Sequence, residues 1–475
     1  MAERGFTPML WLALALGVVL RLVSLDDFPP PMLDEGGWPY SAREWAMYGR
    51  MTFDFHTTPG YHVVLGAVFD LFGATMLTAR VFSAWLAVLS LALFWWVVRR
   101  ISADATVAAW ATVLWATCFP AIDIGRRALI EPIQMVAILL VVAALSATRR
   151  RAAIVGGALA TASLVLIKAN AIVLLPAFAL ALWWDRSAAL RTERLAKIGG
   201  MALGIALAGA VFLLLYRADP ATFTAGWSPT LKKSFLASGA PVLRLGRFVI
   251  DPQLIQSGLD FIAAQTPFLF VLGLIGAARA VRDRDATIGG FWTLLLLPFL
   301  LLQVLQSPQY FSVLYPAFAI GSAALLVAAA RATPGRLAWP VLALWVVVAD
   351  GLGRSTAAML FLGRPDRSTV TWLRDRIPAG ERVMAAPFVL MQLAEPTVSM
   401  FRLPDPPFVP IPDRLREHDV RWIVIDEPEW RTRLARAGLD SAALADTLRP
   451  CCSLVHANGY AWIYRVNPTP PRPTP

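Results

Sequence analysis

Two carboxylates stand side by side in Met32-Leu33-Asp34-Glu35-Gly36-Gly37-Trp38-Pro39-Tyr40, just after a run of prolines and before a helix-like stretch from Ser41 to Tyr48. Adjacent acids at a membrane mouth can act as a general base or hold a cation. They can equally decorate a helix N-terminus, where the dipole favours negative charge. Downstream, Asp54-Phe55-His56-Thr57-Thr58-Pro59-Gly60-Tyr61-His62 gathers two of the four histidines, six residues apart. That is not the i, i+4 pair of a helical metal site, and Pro59 lies between them, so the spacing argues against a shared metal. The plainer reading is an interfacial segment with polar anchors.

Four further charges interrupt apolar sequence. Arg126 and Arg127 end one apolar segment, Glu131 opens the next, and Lys168 divides two short ones. Charge at membrane depth is costly and tends to face a cavity, a partner or a ligand. Snorkelling of a long side chain to the interface is the alternative.

The elements that must position these residues follow from composition. The 475 residues are 57% hydrophobic and 16% charged, with mean hydropathy +0.59, which is too apolar for an ordinary soluble chain. Transmembrane helices need about 20 mostly apolar residues, because hydrocarbon offers the backbone no hydrogen bonds. Candidate spans are 6–25, 75–98, 104–121, 129–148, 152–167, 169–184, 198–216, 259–280, 286–306, 310–330 and 336–354, so about eleven are expected. The first is long, is followed by further spans and carries no small-x-small cleavage site, so it reads as a retained signal anchor.

The net charge of +11 does not point to nucleic acid, since the arginines fall in short clusters between spans, not along one amphipathic face. Arg4, Arg99-Arg100, Arg149 to Arg151, the 186–197 group, the 279–284 group and Arg331 with Arg336 share one side. Positive charge collects in short cytoplasmic loops, so that side is expected to be cytoplasmic. In a multi-pass protein of the cell (inner) membrane the N-terminus is then expected to be cytoplasmic, while the 26–74 loop and everything after 355 lie on the external or periplasmic side.

Three regions follow: a transmembrane domain over 1–360, an external α/β domain over 365–466 and a Pro-rich disordered tail over 467–475. In the second, Thr369 to Arg376 and Glu429 to Ala437 read as helices. Glu381 to Ala386 and Val420 to Asp426 read as strands, and Ser453 to His456 with Ala461 to Val466 as a hairpin around Asn458-Gly459. The three cysteines, Cys118 and the adjacent Cys451 and Cys452, give neither zinc spacing nor a disulfide framework.

Several motifs taken in order resemble family-39 membrane glycosyltransferases of the GT-C superfamily, relatives of protein O-mannosyltransferases and aminoarabinose transferases. They are Asp34-Glu35 before a juxtamembrane helix, the Pro59 turn into Tyr61, Leu71-Phe72-Gly73 and Ala79-Arg80-Val81-Phe82-Ser83-Ala84. Arg127 to Pro132, Leu166 to Asn170 with Pro176, and Ser307 to Phe311 with Tyr315-Pro316 extend the likeness over most of 6–330. The resemblance implies a polytopic GT-C fold and transfer of a sugar from a polyprenyl-phosphate donor to a lipid, glycan or protein acceptor, with inversion. It implies a catalytic pair of Asp34, as the base, and its neighbour Glu35, orienting the acceptor or the loop. Lys168, Arg127, His56, Gln309 and Tyr310 are the candidates for the donor phosphate, and Glu131 and Tyr61 for orienting the acceptor or loop. No cofactor is implied. Asp34, Glu35 and Glu131 could hold a divalent cation, which the relatives do not generally need.

This chain departs from the family in places. Thr57-Thr58-Pro59 stands where many relatives carry a basic residue before two prolines, and Gln309-Tyr310 where they often have Arg-Tyr. Both changes remove positive charge from the expected phosphate site. Two other classes compete: a transporter or flippase of a lipid-linked envelope precursor, and a non-catalytic relative that binds an envelope polymer. The first predicts internal symmetry and Gly/Pro-broken spans in matching halves, and neither is visible. The second would show no turnover.

Overall fold

The computed structural model describes residues 8–26, 33–49, 58–102, 104–176, 178–179, 191–224, 243–245, 248–250, 260, 262–282, 312–333, 338–361, 368–378, 380–385, 387–393, 397–399, 415, 419–426, 446, 448–458 and 461–467. The bundle begins with α1 (Pro8–Leu22), α2 (Leu33–Tyr48), α3 (Pro59–Phe72), α4 (Met76–Ser102) and α5 (Ala105–Thr117). It continues with α6 (Phe119–Arg126), α7 (Glu131–Leu145), α8 (Arg150–Ile167), a 3-10 helix over Ala169–Leu174, and α9 (Arg191–Ala218). Then come α10 (Pro267–Arg282), α11 (Tyr315–Ala332), α12 (Ala338–Val347), a π-helical turn (Val348–Leu352) and α13 (Gly353–Phe361).

The chain is a multi-pass membrane protein. Among the described residues five helices are long and apolar enough to cross a bilayer: Met76–Ser102, Arg150–Ile167, Thr192–Ala218, Tyr315–Ala332 and Val341–Leu360. Their exposed apolar side chains, such as Trp85 and Leu89 on α4 and Leu203, Leu207 and Leu214 on α9, are the surface lipid would cover.

The expected count of about eleven spans is not reached on these criteria, for local reasons. The expected span 104–121 is a pair bent by 61°, with Cys118 at the break and Pro120 removing a backbone donor just beyond it. The expected span 169–184 opens as a 3-10 helix, not an α-helix. Expected span 259–280 breaks at Thr266-Pro267, and α1, α7 and α10 are shorter than a span. The expected span 286–306 lies outside the described residues.

At two of these breaks charged side chains of a neighbouring helix satisfy backbone groups. Arg21 of α1 is 1% exposed and donates to Ala116 O at 2.5 Å and Trp115 O at 3.5 Å, the carbonyls at the end of α5. Arg126 of α6 returns the contact, donating to Leu20 O, to Val23 O at 2.6 Å and to Ser24 O at 3.2 Å, at the end of α1. Cations suit helix C-termini, where carbonyls have no partner within the helix. At the second break the π-helical turn carries Asp350, which accepts from Leu269 N at 2.7 Å. Arg354, four residues on, donates to Ala264 O at 2.6 Å and Gln265 O at 2.9 Å. One helix thus caps both ends of the interruption in its neighbour.

Small residues let the apolar helices meet at the backbone. A Cβ on Gly276 of α10 would lie 2.0 Å from Gly321 O of α11, so that crossing exists only because both positions are glycine.

The C-terminal region is a five-stranded sheet of order β4-β3-β5-β7-β6; a two-stranded ribbon of β1 (Leu243–Leu245) and β2 (Phe248–Ile250) precedes it, between α9 and α10 in the chain. Its strands are β3 (Arg382–Ala385), β4 (Thr397–Ser399), β5 (Val420–Asp426), β6 (Cys452–Ala457) and β7 (Ala461–Val466). β3 pairs in parallel with β4 and β5, whereas β5, β7 and β6 run antiparallel. α14 (Ser368–Arg376) covers one face through Val370 and Leu373, and Ile423, Ile425 and Met384 fill the other. Strand β4 was not foreseen, and the expected helix Glu429 to Ala437 lies outside the described residues. The neighbouring thiols of Cys451 and Cys452 are free, with sulfurs 3.3 Å apart. The region is tied to the bundle by Arg43 of α2, which donates to Leu390 O at 3.0 Å.

Candidate active site

Asp34 and Glu35 lie in the first turn of α2, where acids suit a helix N-terminus. The backbone of Asp34 is helical; its side chain is outside the described residues. So are His56, Gln309 and Tyr310.

Glu35 is wholly buried and fully engaged. Arg80 of α4 meets it with two parallel bonds, Nε to Oε1 at 2.5 Å and Nη2 to Oε2 at 3.0 Å. Ala128 N donates to Oε1 at 3.1 Å, and Arg127 Nη1 stands 3.8 Å from Oε2. A planar guanidinium opposite a carboxylate gives strength and fixed orientation together. Arg80 also donates to Leu25 O at 2.8 Å, so one side chain joins the end of α1, the start of α2 and the body of α4. Arg127 is shared: its Nε and Nη2 bond Asp123 at 3.0 and 3.2 Å.

The second acid–base pair is Glu131 with Lys168. Lys168 caps α8 in extended conformation, where the chain leaves the helix, and its Nζ bonds Glu131 Oε1 at 2.7 Å. Both side chains are buried, at 2% and 8% exposure. Among the described residues Glu131 Oε2 has no partner.

α3 brings a third group to this place. Gly60 packs on the end of α8 so closely that a Cβ would lie 3.1 Å from the carbonyl carbon of Leu166, two residues before Lys168. The next residue, Tyr61, is fully buried, and its hydroxyl has no partner among the described residues. Burial pushes the phenol well above its ordinary pKa, and the nearby carboxylates of Glu131 and then Glu35 push the same way. Tyr61 therefore stays a hydroxyl donor at any physiological pH. Trp38 of α2 meets its ring edge-on at 6.4 Å, and His62 does so at 5.8 Å. His62 is locked by Thr58, with Nδ1 2.9 Å from Thr58 O, and Thr58 begins the α3 turn.

Asp34's backbone, Glu35, Arg127, Glu131, Lys168 and Tyr61 thus converge on one end of the bundle, from α2, α3, α7 and the ends of α6 and α8. Arg126, weighed in the sequence as a membrane-depth charge, caps α1 and does not join them. Arg80 and Asp123 belong to the cluster but carried no role in the sequence reading. Arg80 lies 45 residues from Glu35, and no spacing rule links them; its signal was an arginine amid the small residues that open a span. Among the described residues no group of three or more His, Cys, Asp or Glu side chains could hold a metal ion.

No family model and no curated protein sequence matches the chain. In three dimensions it is similar to the crystal structure of ArnT from Cupriavidus metallidurans bound to undecaprenyl phosphate, with TM-score 0.61 and 17% identity over 97% of this chain and 99% of that one. It is also similar to the Archaeoglobus fulgidus oligosaccharyltransferase, solved tethered with an acceptor peptide containing the NVT sequon. There the TM-score is 0.54 and the identity 12%, over 97% of this chain and 74% of that one. The same oligosaccharyltransferase in complex with Zn and sulfate gives 0.54 and 12%, over 95% and 72%. At such identities the likeness is one of fold: the chain has the GT-C fold, as its motifs suggested.

Proposed function

We propose that the chain is an inverting glycosyltransferase that moves a sugar from a polyprenyl-phosphate carrier to an acceptor hydroxyl at the external face of the cell membrane. One observation carries this reading. Asp34 is fixed in the first turn of a helix whose next side chain, Glu35, is clamped by Arg80 and the amide of Ala128, within a fold shared with a structure that holds undecaprenyl phosphate. Preorganisation of this kind suits a carboxylate that must meet a developing charge in one geometry.

In the reaction the Asp34 carboxylate takes the proton of the acceptor O–H as its oxygen attacks the anomeric carbon. The bond from that carbon to phosphate oxygen breaks, and its electron pair leaves with the polyprenyl phosphate. A single displacement inverts the anomer. Phosphate departs as a stable anion and needs cations rather than an acid, a role for which Lys168 and Arg127 are assigned, with His56, Gln309 and Tyr310 as further phosphate contacts. No metal is required by this scheme. Glu35 accepts from three N–H donors and is clamped by the Arg80 guanidinium, which suits it to positioning the loop rather than to taking the proton. The clustering of arginines in alternate loops supports a cytoplasmic N-terminus and an external C-terminal region.

The test is transfer of radiolabelled sugar from defined polyprenyl-phosphate donors by the purified full-length protein. Asp34→Asn should fold normally and lose about 10³-fold in turnover, the scale of a general base. Equal rates would remove Asp34 from the mechanism.

A further inference from the structure

Cys451 and Cys452 play no part in the transfer reaction, and their placement is unusual for neighbours. Successive side chains of a strand point to opposite faces of its sheet. These two meet, with their sulfurs 3.3 Å apart. The reason is local: Cys451 belongs to the turn 449–451, its N donating to Leu448 O at 3.0 Å, and only Cys452 belongs to β6, paired with Val466 of β7. Asn467 holds the turn from the other side, its N donating to Cys451 O at 2.8 Å. The surroundings of the two sulfurs differ. Cys452 is buried in the small core that includes Ile423, Leu448 and Tyr464, whereas Cys451 is half-buried at its edge. Burial, and then the neighbouring Cys451, push the Cys452 thiol well above its ordinary pKa. Cys451 is thus the sulfur that meets an external reagent first.

A disulfide holds its sulfurs about 2 Å apart, so closure here asks for an approach of about 1.3 Å. We infer that Cys451 and Cys452 form a vicinal disulfide, made by exchange with a disulfide-bonded thiol carrier on the external side of the membrane. The Cys451 thiolate attacks one sulfur of the carrier disulfide, the carrier's S–S bond breaks, and its other sulfur leaves as a thiolate. Cys452 then loses its proton to solvent, its sulfur attacks Cys451 Sγ, and the second carrier sulfur leaves. Two protein thiols and one carrier disulfide become one protein disulfide and two carrier thiols. Oxidation removes the bond from Cys451 Sγ to Leu448 O, at 3.4 Å, but that carbonyl keeps the Cys451 amide, so the turn survives. The inference rests on the external placement of the C-terminal region, where oxidising surroundings let disulfides persist, and not on the transfer reaction.

The experiment acid-quenches cells that make the full-length protein, blocks thiols with N-ethylmaleimide in denaturant without reductant, and weighs the peptide that holds both cysteines. That peptide should be two hydrogens lighter than the dithiol and carry no maleimide, and it should take up two maleimides once reductant is applied first. Cys118, buried at the bend between α5 and α6, should be blocked in both samples and serves as the control. In vitro, the reduced purified protein given oxidised glutathione should lose both neighbouring thiols and retain no glutathione, while Cys452→Ser should stop at one glutathione on Cys451. Two maleimides on the unreduced peptide, or a glutathione that stays on the wild type, would overturn the disulfide. In intact cells treated with reductant, a membrane-impermeant maleimide should reach Cys451. Reaction only after the membrane is opened would overturn the external placement, and the inference with it.

Discussion

Glu35 and Glu131 are both buried carboxylates beside a cation, and they differ in what surrounds the rest of the group. Glu35 receives two bonds from Arg80 and one from an amide, with a second guanidinium 3.8 Å away. Glu131 receives one from a lysine, and its other oxygen is buried with no partner among the described residues. Completed networks hold a fold in one arrangement, while incomplete ones store capacity for a ligand. On that basis the first acid is held in a completed network and the second in an incomplete one, although sequence alone presents both simply as acids near apolar segments.

Removing one partner from each pair should expose the difference. Glu35→Gln leaves Arg80 buried without its counter-charge and should cost about 3–5 kcal/mol, read as a large fall in the thermal unfolding midpoint in detergent. Adding Arg80→Met to that variant should recover at least half of the loss, because an apolar pair needs no compensation. Lys168→Met should cost less stability, about 1–3 kcal/mol, since it removes one hydrogen bond rather than a two-bond guanidinium clamp, but should lower kcat/KM with the lipid donor about 100-fold. A Lys168→Met protein as unstable as Glu35→Gln and kinetically normal would erase the distinction.

The smallest effect belongs to an exposed pair that serves as a reference. Asp104 caps α5 and meets Arg331 at 2.7 Å. Partial burial pushes its carboxyl up, but Arg331 and the amides of Val107 and Thr106 outweigh that and hold it below the usual value. Its contribution is therefore complete above about pH 4, the unfolded value, and fades as pH falls through the lower folded one. Asp104→Asn should cost about 0.5–1 kcal/mol at pH 7, after allowance for solvent screening, and less in high salt. A cost matching that of Glu35→Gln would show that burial does not set the scale.

The long apolar helices were legible because a bilayer imposes length and composition on any segment that crosses it. The expected spans 152–167 and 310–330 match Arg150–Ile167 and Tyr315–Ala332 closely, and 75–98 lies almost wholly inside Met76–Ser102. Strand β5 runs over Val420–Asp426 as its alternating pattern predicted, and α14 starts one residue early. Breaks were harder to see. Phe119-Pro120 sits in sequence apolar enough to pass for an uninterrupted helix, and Arg21, nearly a hundred residues away, caps the carbonyls that the break frees. Pairings at the site were the least legible part. Glu35 with Arg80 and Glu131 with Lys168 join residues 45 and 37 apart, distances at which helix spacing says nothing about contact.

The reciprocal caps between α1 and the α5–α6 elbow reach further than local repair. Arg126 grips the last carbonyls of the first helix, and its immediate neighbours Arg127 and Ala128 reach for Glu35. The first helix is thereby a cornerstone, not a leash. Replacing it with an unrelated anchor of equal hydrophobicity would still tether the chain to lipid, yet it would let the cradle around Glu35 drift.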